Sequence, residues 1–163
     1  MSEASEKVNR WLDDASVRYI SHTHPAVFSV DEADEHTGHI EGVAAKTLLV
    51  FGEKTKAFYL ISLEGHKKLS QAAIKTLLGE RVRFAKSEDL GRILNVVPGS
   101  VSPLGLIFDT ESEIRKYVID KEILEADFVT WHPNDNTQTY QFDQENMGKV
   151  LNMLGHEIVV YTE

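Results

Sequence analysis

Residues 98–106 read Pro-Gly-Ser-Val-Ser-Pro-Leu-Gly-Leu, with two prolines and two glycines set among apolar residues. Each proline holds the backbone angle φ at about −65° and lacks an N–H, and each glycine lets another group approach the backbone closely. The N–H and carbonyl groups of residues 99–102 cannot all be used in a regular ladder, so we expect them to meet a ligand. The alternative is a tight loop that only leads into the next strand.

Outside this stretch, the spacing of apolar residues and helix caps predicts five helices. Val8, Trp11 and Leu12 are the first apolar residues of a pattern that predicts a helix over 4–16. Ser29, Ser70 and Ser87 are expected to cap the next three helices, the first of them through an S-x-x-E capping box. The fifth helix ends at Gly155.

Apolar and alternating runs predict nine strands, and a hairpin is expected between the strand at 104–108 and the next one. The predicted strands are 18–22, 44–51, 57–63, 81–85, 104–108, 114–119, 126–131, 137–142 and 157–161. We therefore predict an α/β (α+β type) fold, in which a curved mixed β-sheet carries helices on its outside.

Length and composition are those of one globular domain over residues 1–163. The chain is 42% hydrophobic and 26% charged, and it contains no cysteine, which excludes disulfides and thiolate nucleophiles. No apolar run approaches the roughly 18 residues of a membrane span, and the first residues lack the apolar segment of a signal peptide. We expect a cytoplasmic protein with no membrane partner.

Four segments in order along the chain resemble one known family. They are residues 24–33 (HPAVFSVDEA), 45–50 (AKTLLV), 98–106 (PGSVSPLGL) and 132–137 (HPNDNT). They resemble the YbaK/ProX family, the stand-alone aminoacyl-tRNA deacylases related to the editing domain of bacterial prolyl-tRNA synthetase. The resemblance runs from about residue 15 to the C-terminus. It implies a pseudo-barrel sheet with flanking helices, and a hydrolase that cleaves the ester of mischarged tRNA.

The resemblance also implies roles for particular residues. The loop from Gly99 to Pro103 lines the ester site through its backbone, Lys46 holds the tRNA end or the ester, and His132 lines the amino-acid pocket. We assign Lys46 and Gly99 as catalytic. The expected substrate contacts are His132, Ser100, Ser102, Pro103, Val27 and Phe28. From the residues alone, Lys46 could equally be a sheet-edge lysine with its ammonium in water, and His132 a simple loop residue.

The net charge of −9 argues against a broad nucleic-acid surface, but the charges are unevenly distributed. Residues 66–92 carry seven basic and three acidic side chains. We predict that a small patch in this segment touches the acceptor end of tRNA through Lys67, Lys68, Arg81 and Arg83. The alternative is an ordinary solvated surface.

The sequence lacks the signatures of other hydrolytic chemistries. There is no G-x-S-x-G elbow, no HExxH and no Walker loop. His22, His24, His36 and His39 lie near several carboxylates, but their spacing matches no established ligand motif. We therefore predict no metal and no cofactor.

The residue after Lys46 leaves the substrate open. Family members that remove alanine from proline tRNA often have Asn there, whereas this chain has Thr47, as the cysteine-removing branch does. Segments 98–106 and 132–137 look more like the alanine-removing branch, so we favour alanyl-tRNA(Pro). The alternatives are a cysteinyl or seryl substrate, a non-catalytic binder of the tRNA end, and a protein that docks onto prolyl-tRNA synthetase.

Overall fold

A computed structural model describes residues 2–163, which form one eight-stranded sheet with helices against it. The helices are α1 (Glu3–Asp14), α2 (Val30–Thr37), α3 (Gln71–Leu78), α4 (Ser87–Leu94), α5 (Lys121–Leu124) and α6 (Gln144–Leu154). The strands are β1 (Ile20–Thr23), β2 (Val43–Gly52), β3 (Phe58–Glu64), β4 (Val82–Phe84), β5 (Ile114–Asp120), β6 (Phe128–Trp131), β7 (Gln138–Asp143) and β8 (Ile158–Tyr161). No helix within these residues is long and apolar enough to cross a membrane.

The ten-residue strand β2 organises the sheet. It pairs with β3 in antiparallel register over residues 45–51, and this occupies one of its two edges. The other edge is divided between β6, which runs parallel to residues 43–44, and β4, which runs antiparallel to residues 50–52. The sheet therefore divides along the middle of β2, and Lys46 lies just beyond the point where β6 leaves.

The sheet is mixed, with strand order β1-β7-β6-β2-β3-β5-β8 and β4 attached to β2. β5 runs parallel to both β3 and β8, while β7 is antiparallel to β1 and β6. The predicted fold class, a mixed sheet with flanking helices, is confirmed.

Successive residues of β3 and β5 point to opposite faces of the sheet and belong to two apolar clusters. Leu60 and Tyr117 belong to the larger cluster, which also takes in Val8 and Leu12 of α1. Their chain neighbours Ile61 and Val118 belong to the second cluster, together with Ile74 of α3. Both faces are therefore covered, which explains the uninterrupted apolar runs at 58–61 of β3 and 117–119 of β5.

Local signals predicted the helix ends well. Ser29 and Ser70 accept hydrogen bonds from the N–H groups three residues ahead, and Gly79 follows α3 with φ of +79°. The cap of α4 is Lys86 rather than Ser87, which is the first helical residue. The short helix α5, which Asp120 caps, was not predicted.

The predicted strand at 104–108 is wrong, because Pro103–Phe108 is a 3-10 helix. Ser102 caps it by accepting the N–H of Leu104 at 3.2 Å, and Pro103 provides the fixed φ of a first helical position. Leu104 and Leu106 are buried in the larger cluster, so an apolar run here fills the core without joining the sheet. The predicted hairpin is therefore wrong as well, and β5 instead pairs in parallel with β3.

A buried carboxylate holds the β2–β3 hairpin. Glu80 is 4% exposed and accepts hydrogen bonds from the N–H groups of Lys54 and Thr55, at 2.8 and 2.9 Å, and from the hydroxyls of Thr55 and Tyr59. Burial alone would raise the pKa of Glu80, but these four donors outweigh it and lower the pKa to about 2. The carboxylate lies so close to Gly52 that a methyl group there would meet it at 2.5 Å.

We expect Glu80→Gln to lower the free energy of unfolding by about 1–3 kcal/mol at pH 7, because the charged acceptor is lost. The depressed pKa means that the wild-type carboxylate contributes fully above its ordinary pKa of 4.5 and loses this contribution as the pH falls towards about 2. Denaturant unfolding at several pH values should therefore show the difference between the two proteins shrinking over this range. Glu53→Gln, at an exposed position of the same hairpin, is the control. A difference that stays constant down to pH 2 would contradict the assignment.

Candidate active site

A cavity of about 220 Å³ opens where the sheet divides. Its wall combines the segment 27–30 and helix α2 with the start of β2, the loop at residues 99 and 101, the end of β6 and the start of β7. Five of the residues that the sequence pointed to line this cavity: Val27, Phe28, Lys46, Gly99 and His132. They come from four distant parts of the chain, so the fold brings the resembling segments together.

Lys46 is half-buried in the cavity wall. Its ammonium donates a hydrogen bond to the backbone carbonyl of Lys67, and no carboxylate among residues 2–163 forms an ion pair with it. An ammonium has three protons, so two remain for a ligand. Lys46 is therefore a positioned cation whose charge is not neutralised.

Lys67 is turned away from the cavity. Its ammonium lies 2.9 Å from both carboxylate oxygens of Asp120, which is 1% exposed, and 3.6 Å from Glu122. The hydrogen bond to Asp120 raises the pKa of Lys67. This pair fixes the loop whose carbonyl receives Lys46, so the side chain of Lys67 is engaged within the protein.

Position 99, in the loop at 98–103, requires a glycine because of its backbone angle. Gly99 has φ of +94°, a conformation that side chains disfavour. Space is not the constraint, because an added methyl group would lie 3.5 Å from both the Cα of Phe28 and the carbonyl oxygen of Val27. Gly99 and Val101 both line the cavity, and their N–H groups donate to no acceptor among residues 2–163.

The other loop residues lie behind the cavity wall and are absent from its lining. Ser102 is buried and donates to the carbonyl of His132 at 2.6 Å, which ties the loop to the end of β6. Pro103 is buried at the start of the 3-10 helix. Ser100 is fully buried, with no partner for its hydroxyl among the described residues, and it borders a second groove beside α1.

His132 presents one ring nitrogen to a carbonyl. Its Nδ1 lies 2.7 Å from the carbonyl oxygen of Gln138, so Nδ1 carries a proton and Nε2 of the neutral ring is an acceptor. Burial lowers the pKa of His132 by more than this hydrogen bond raises it. The ring is therefore neutral at pH 7, and its Nε2 receives no hydrogen bond from residues 2–163.

A second histidine and two threonines accompany it, and these were not identified as site residues from the sequence. The ring of His24 lies 6.0 Å from that of His132, and its Nε2 is 2.8 Å from the hydroxyl of Thr139, which lines the cavity with Thr130. The strict alternation of residues 137–142 placed Thr139 on one face of its strand, but nothing in that pattern said which face met the cavity.

Thr47 lines the cavity, but its hydroxyl belongs to a series of hydrogen bonds inside the protein. The hydroxyls of Thr47 and Ser62 are 2.7 Å apart, and Ser62 is 2.7 Å from the hydroxyl of Tyr117. All three residues are buried. The side chain of Thr47 is therefore fixed by contacts beneath the site.

Helix α2, which forms one wall, is linked to the end of β3. His66 lies between Asp34 of α2, at 2.6 Å, and Glu64 of β3, at 2.8 Å. Its hydrogen bonds to Glu64 and Asp34 raise the pKa of His66. The bridge holds α2 beside the cavity.

The predicted basic patch is not continuous. Lys68 is exposed beside the Lys67 loop, whereas Arg83 pairs with Phe51 at the far end of β2, about 17 Å along the strand from Lys46. The guanidinium of Arg83 lies 4.8 Å from the ring centre of Phe51, and Arg81 is exposed nearby. The four predicted tRNA contacts thus occupy two ends of β2.

Comparison with known proteins identifies the family. The family model of the aminoacyl-tRNA editing domain matches residues 24–149, and the chain belongs to this family. The family predicted from the four segments is therefore confirmed, and so is the predicted enzyme class, an aminoacyl-tRNA deacylase that acts as a trans-editing hydrolase.

Similar proteins cover nearly the whole chain. The prolyl-tRNA editing protein ProX of Acetoanaerobium sticklandii is 25% identical over 155 residues, which are 94% of each chain. The prolyl-tRNA synthetase associated domain-containing protein 1 of Xenopus laevis is 28% identical over 155 residues, covering 92% of this chain and 91% of that protein. A solved structure described as a candidate trans-editing enzyme for prolyl tRNA synthetase superposes with a TM-score of 0.77 at 20% identity, covering 100% of this chain and 99% of that one, and so shares the fold.

The backbone angle of Gly99 yields a prediction with an internal control. Gly99→Ala should lower the free energy of unfolding by about 1 kcal/mol or more, since the methyl group fits but the angle is strained. Gly91→Ala, inside α4 with open space around it, should instead raise it by about 0.5–1 kcal/mol. Denaturant unfolding measures both. Deacylase activity of Gly99→Ala should fall by more than the loss of folded protein, and a loss only in proportion would make the loop a purely structural element.

Proposed function

We propose that this protein hydrolyses alanyl-tRNA(Pro) and releases alanine and free tRNA, acting in trans to prolyl-tRNA synthetase. The observation that carries the proposal is that Lys46, Gly99 and His132, the residues implied by resemblance, line one small cavity. The name of the relative from A. sticklandii, a prolyl-tRNA editing protein, supports proline tRNA as the context.

Selection against the correct product rests on size. Prolyl-tRNA(Pro) must survive while the smaller alanyl ester is cleaved, and a roomy pocket would favour the larger side chain by about 1–3 kcal/mol per methylene. Rejection of proline therefore needs a steric clash. Val27, which is 2% exposed, and half-buried His132 supply fixed walls for it.

The chemistry needs a water molecule and compensation of negative charge. Water attacks the ester carbonyl carbon, the carbonyl oxygen becomes an oxyanion, and the ribose oxygen then leaves with a proton that originates from the water. The ammonium of Lys46 and the free N–H groups of Gly99 and Val101 are the donors for the oxyanion. Such preorganised donors contribute because they need no reorganisation during the reaction.

His132 orients the substrate in this scheme. Nε2 of its neutral ring accepts a hydrogen bond from the α-ammonium group, which places the carbonyl next to Lys46 and Gly99. Protonation of the ring would remove the acceptor and set two cations against each other.

Contacts to the rest of the tRNA come from the exposed cations. Lys68, Arg81 and Arg83 are free to meet phosphates, whereas Lys67 contributes through its pair with Asp120 and its carbonyl bond to Lys46. A tRNA substrate and a synthetase partner make the cytoplasm the expected location.

A second candidate substrate is cysteinyl- or seryl-tRNA(Pro), because Thr47 follows Lys46 as it does in the cysteine-removing branch. The hydroxyl of Thr47 is held by Ser62, so the methyl group is what remains for the cavity. A thiol or hydroxyl on the substrate would then contact Thr130 or Thr139 instead.

The test is amino-acid release from alanyl-, seryl-, cysteinyl- and prolyl-tRNA(Pro), measured with the wild type, Lys46→Met and the surface control Lys149→Met. We expect the alanyl ester to be cleaved fastest and the prolyl ester to be spared. Lys46→Met keeps the apolar stem but should lose at least about 100-fold in kcat/KM, since an oxyanion donor is removed. Hydrolysis of the prolyl ester at the alanyl rate would contradict editing, faster cysteine release would favour the second substrate, and wild-type activity in folded Lys46→Met would refute the role of the lysine.

The state of His132 predicts a pH dependence. Because burial lowers the pKa of His132, kcat/KM should decline at a lower pH than it would for a histidine with an ordinary pKa. His132→Gln keeps an acceptor that does not titrate, so its profile should lack this decline while its rate at pH 7.5 is lower. If kcat/KM of the wild type and of His132→Gln declined in the same way at low pH, the titrating group would be a residue other than His132.

A further inference from the structure

Phe28 is an exposed aromatic side chain at the cavity. At 68% it is the most exposed large apolar side chain among residues 2–163. The other exposed large apolar side chains are Ile20, Phe84, Val97, Met153, Ile158 and Val160, and none of them lines the cavity. A lone exposed apolar residue is ordinary on a protein surface, so its position beside the site is what makes it informative.

The backbone beneath Phe28 is fixed on both sides. Val27 donates its N–H to the carbonyl of Asn136 at 3.2 Å and accepts the Asn136 side-chain amide at 2.9 Å. Phe28 itself donates its N–H to the carboxylate of Glu32 at 3.0 Å, and Ser29 caps α2. The ring is therefore presented to solvent by a rigid segment, while Val27 beside it is buried.

Phe28 also adjoins the loop of the ester site. A methyl group on Gly99 would be 3.5 Å from the Cα of Phe28, so the two backbones are nearly in contact. In an aminoacyl-tRNA the amino acid is esterified to the same ribose that carries the terminal adenine, and one sugar ring separates ester and base. A base next to an ester held at Gly99 thus comes within reach of Phe28.

We propose that Phe28 is a stacking platform for the adenine of the 3′-terminal nucleotide, and that it is not a wall of the amino-acid pocket. This role rests on the proposed function. Aromatic side chains bind bases by stacking on the π-face, which every base possesses. Because all tRNAs end in adenosine, Phe28 would strengthen binding of any tRNA end without distinguishing one tRNA from another.

The experiment compares two small esters that differ only in the base. One is 3′-O-alanyladenosine. The other is the 3′-alanyl ester of methyl β-D-ribofuranoside, in which a methoxy group replaces the base. For the wild type we expect KM to be at least about fivefold lower for the adenosine ester, with similar kcat. Phe28→Ala should abolish this difference and leave hydrolysis of the base-free ester unchanged, and Phe28→Tyr should retain it. Phe84→Ala, at a 66% exposed position outside the cavity, is the matched control.

The outcomes separate the stacking role from the proposed function. Equal KM values of the wild type for the two esters would overturn stacking, and so would an equal loss on both esters in Phe28→Ala, which would make Phe28 part of the amino-acid pocket. If the folded wild type hydrolyses neither alanyl-tRNA(Pro) nor either small ester, the proposed function is overturned, and the stacking role is overturned with it. Normal hydrolysis of alanyl-tRNA(Pro) with no base preference would overturn the stacking role alone.

Discussion

The rest of the structure depends on the way one edge of β2 is shared. A strand has two edges, and β3 occupies one of them over residues 45–51. The other edge must serve β6 at its start and β4 at its end, so the two strands cannot both run along it. The gap between them is where Lys46 lies, and the segment 27–30, the Gly99 loop and the end of β6 close around it. The cavity is thus a direct result of strand pairing.

The polar groups around the cavity are held by partners outside it. Asp120 fixes the Lys67 loop, whose carbonyl receives Lys46, and Ser102 ties the Gly99 loop to residue 132. Gln138 sets the protonated nitrogen of His132. These contacts leave the groups that face the cavity with unused donors and acceptors, while their positions are fixed. Such an arrangement suits a reaction in which charge develops at a fixed place.

The helix caps and the strand alternation could be predicted because they depend on residues close in sequence. Ser29, Ser70 and Gly79 each act within four residues, and the structure confirms them. The strand predicted at 104–108 was wrong because an apolar run predicts burial without showing whether a strand or a compact helix is buried. Here Ser102 caps a helix that begins at Pro103.

The candidate site could be predicted only in part. The resembling segments supplied Lys46, Gly99 and His132, but they could not show that Ser100 and Ser102 face away or that Lys67 is paired with Asp120, 53 residues later. Pairings of that kind are set by the register of distant strands. The exposure of Phe28 has the same origin, because it depends on Asn136 holding the backbone beneath it.

The C-terminal strand shows that the working unit is larger than the segment by which the family is recognised. The family match ends at residue 149, yet Tyr161 of β8 pairs with Asp120, and its hydroxyl accepts the N–H of Ser70, the cap of α3. Asp120 anchors the Lys67 loop, so the last strand is connected to the cavity through Asp120 and then Lys67. A fusion protein that carried only the matched segment would lack β8. It would therefore lose the strand that pairs with Asp120 and supports the position of Lys46.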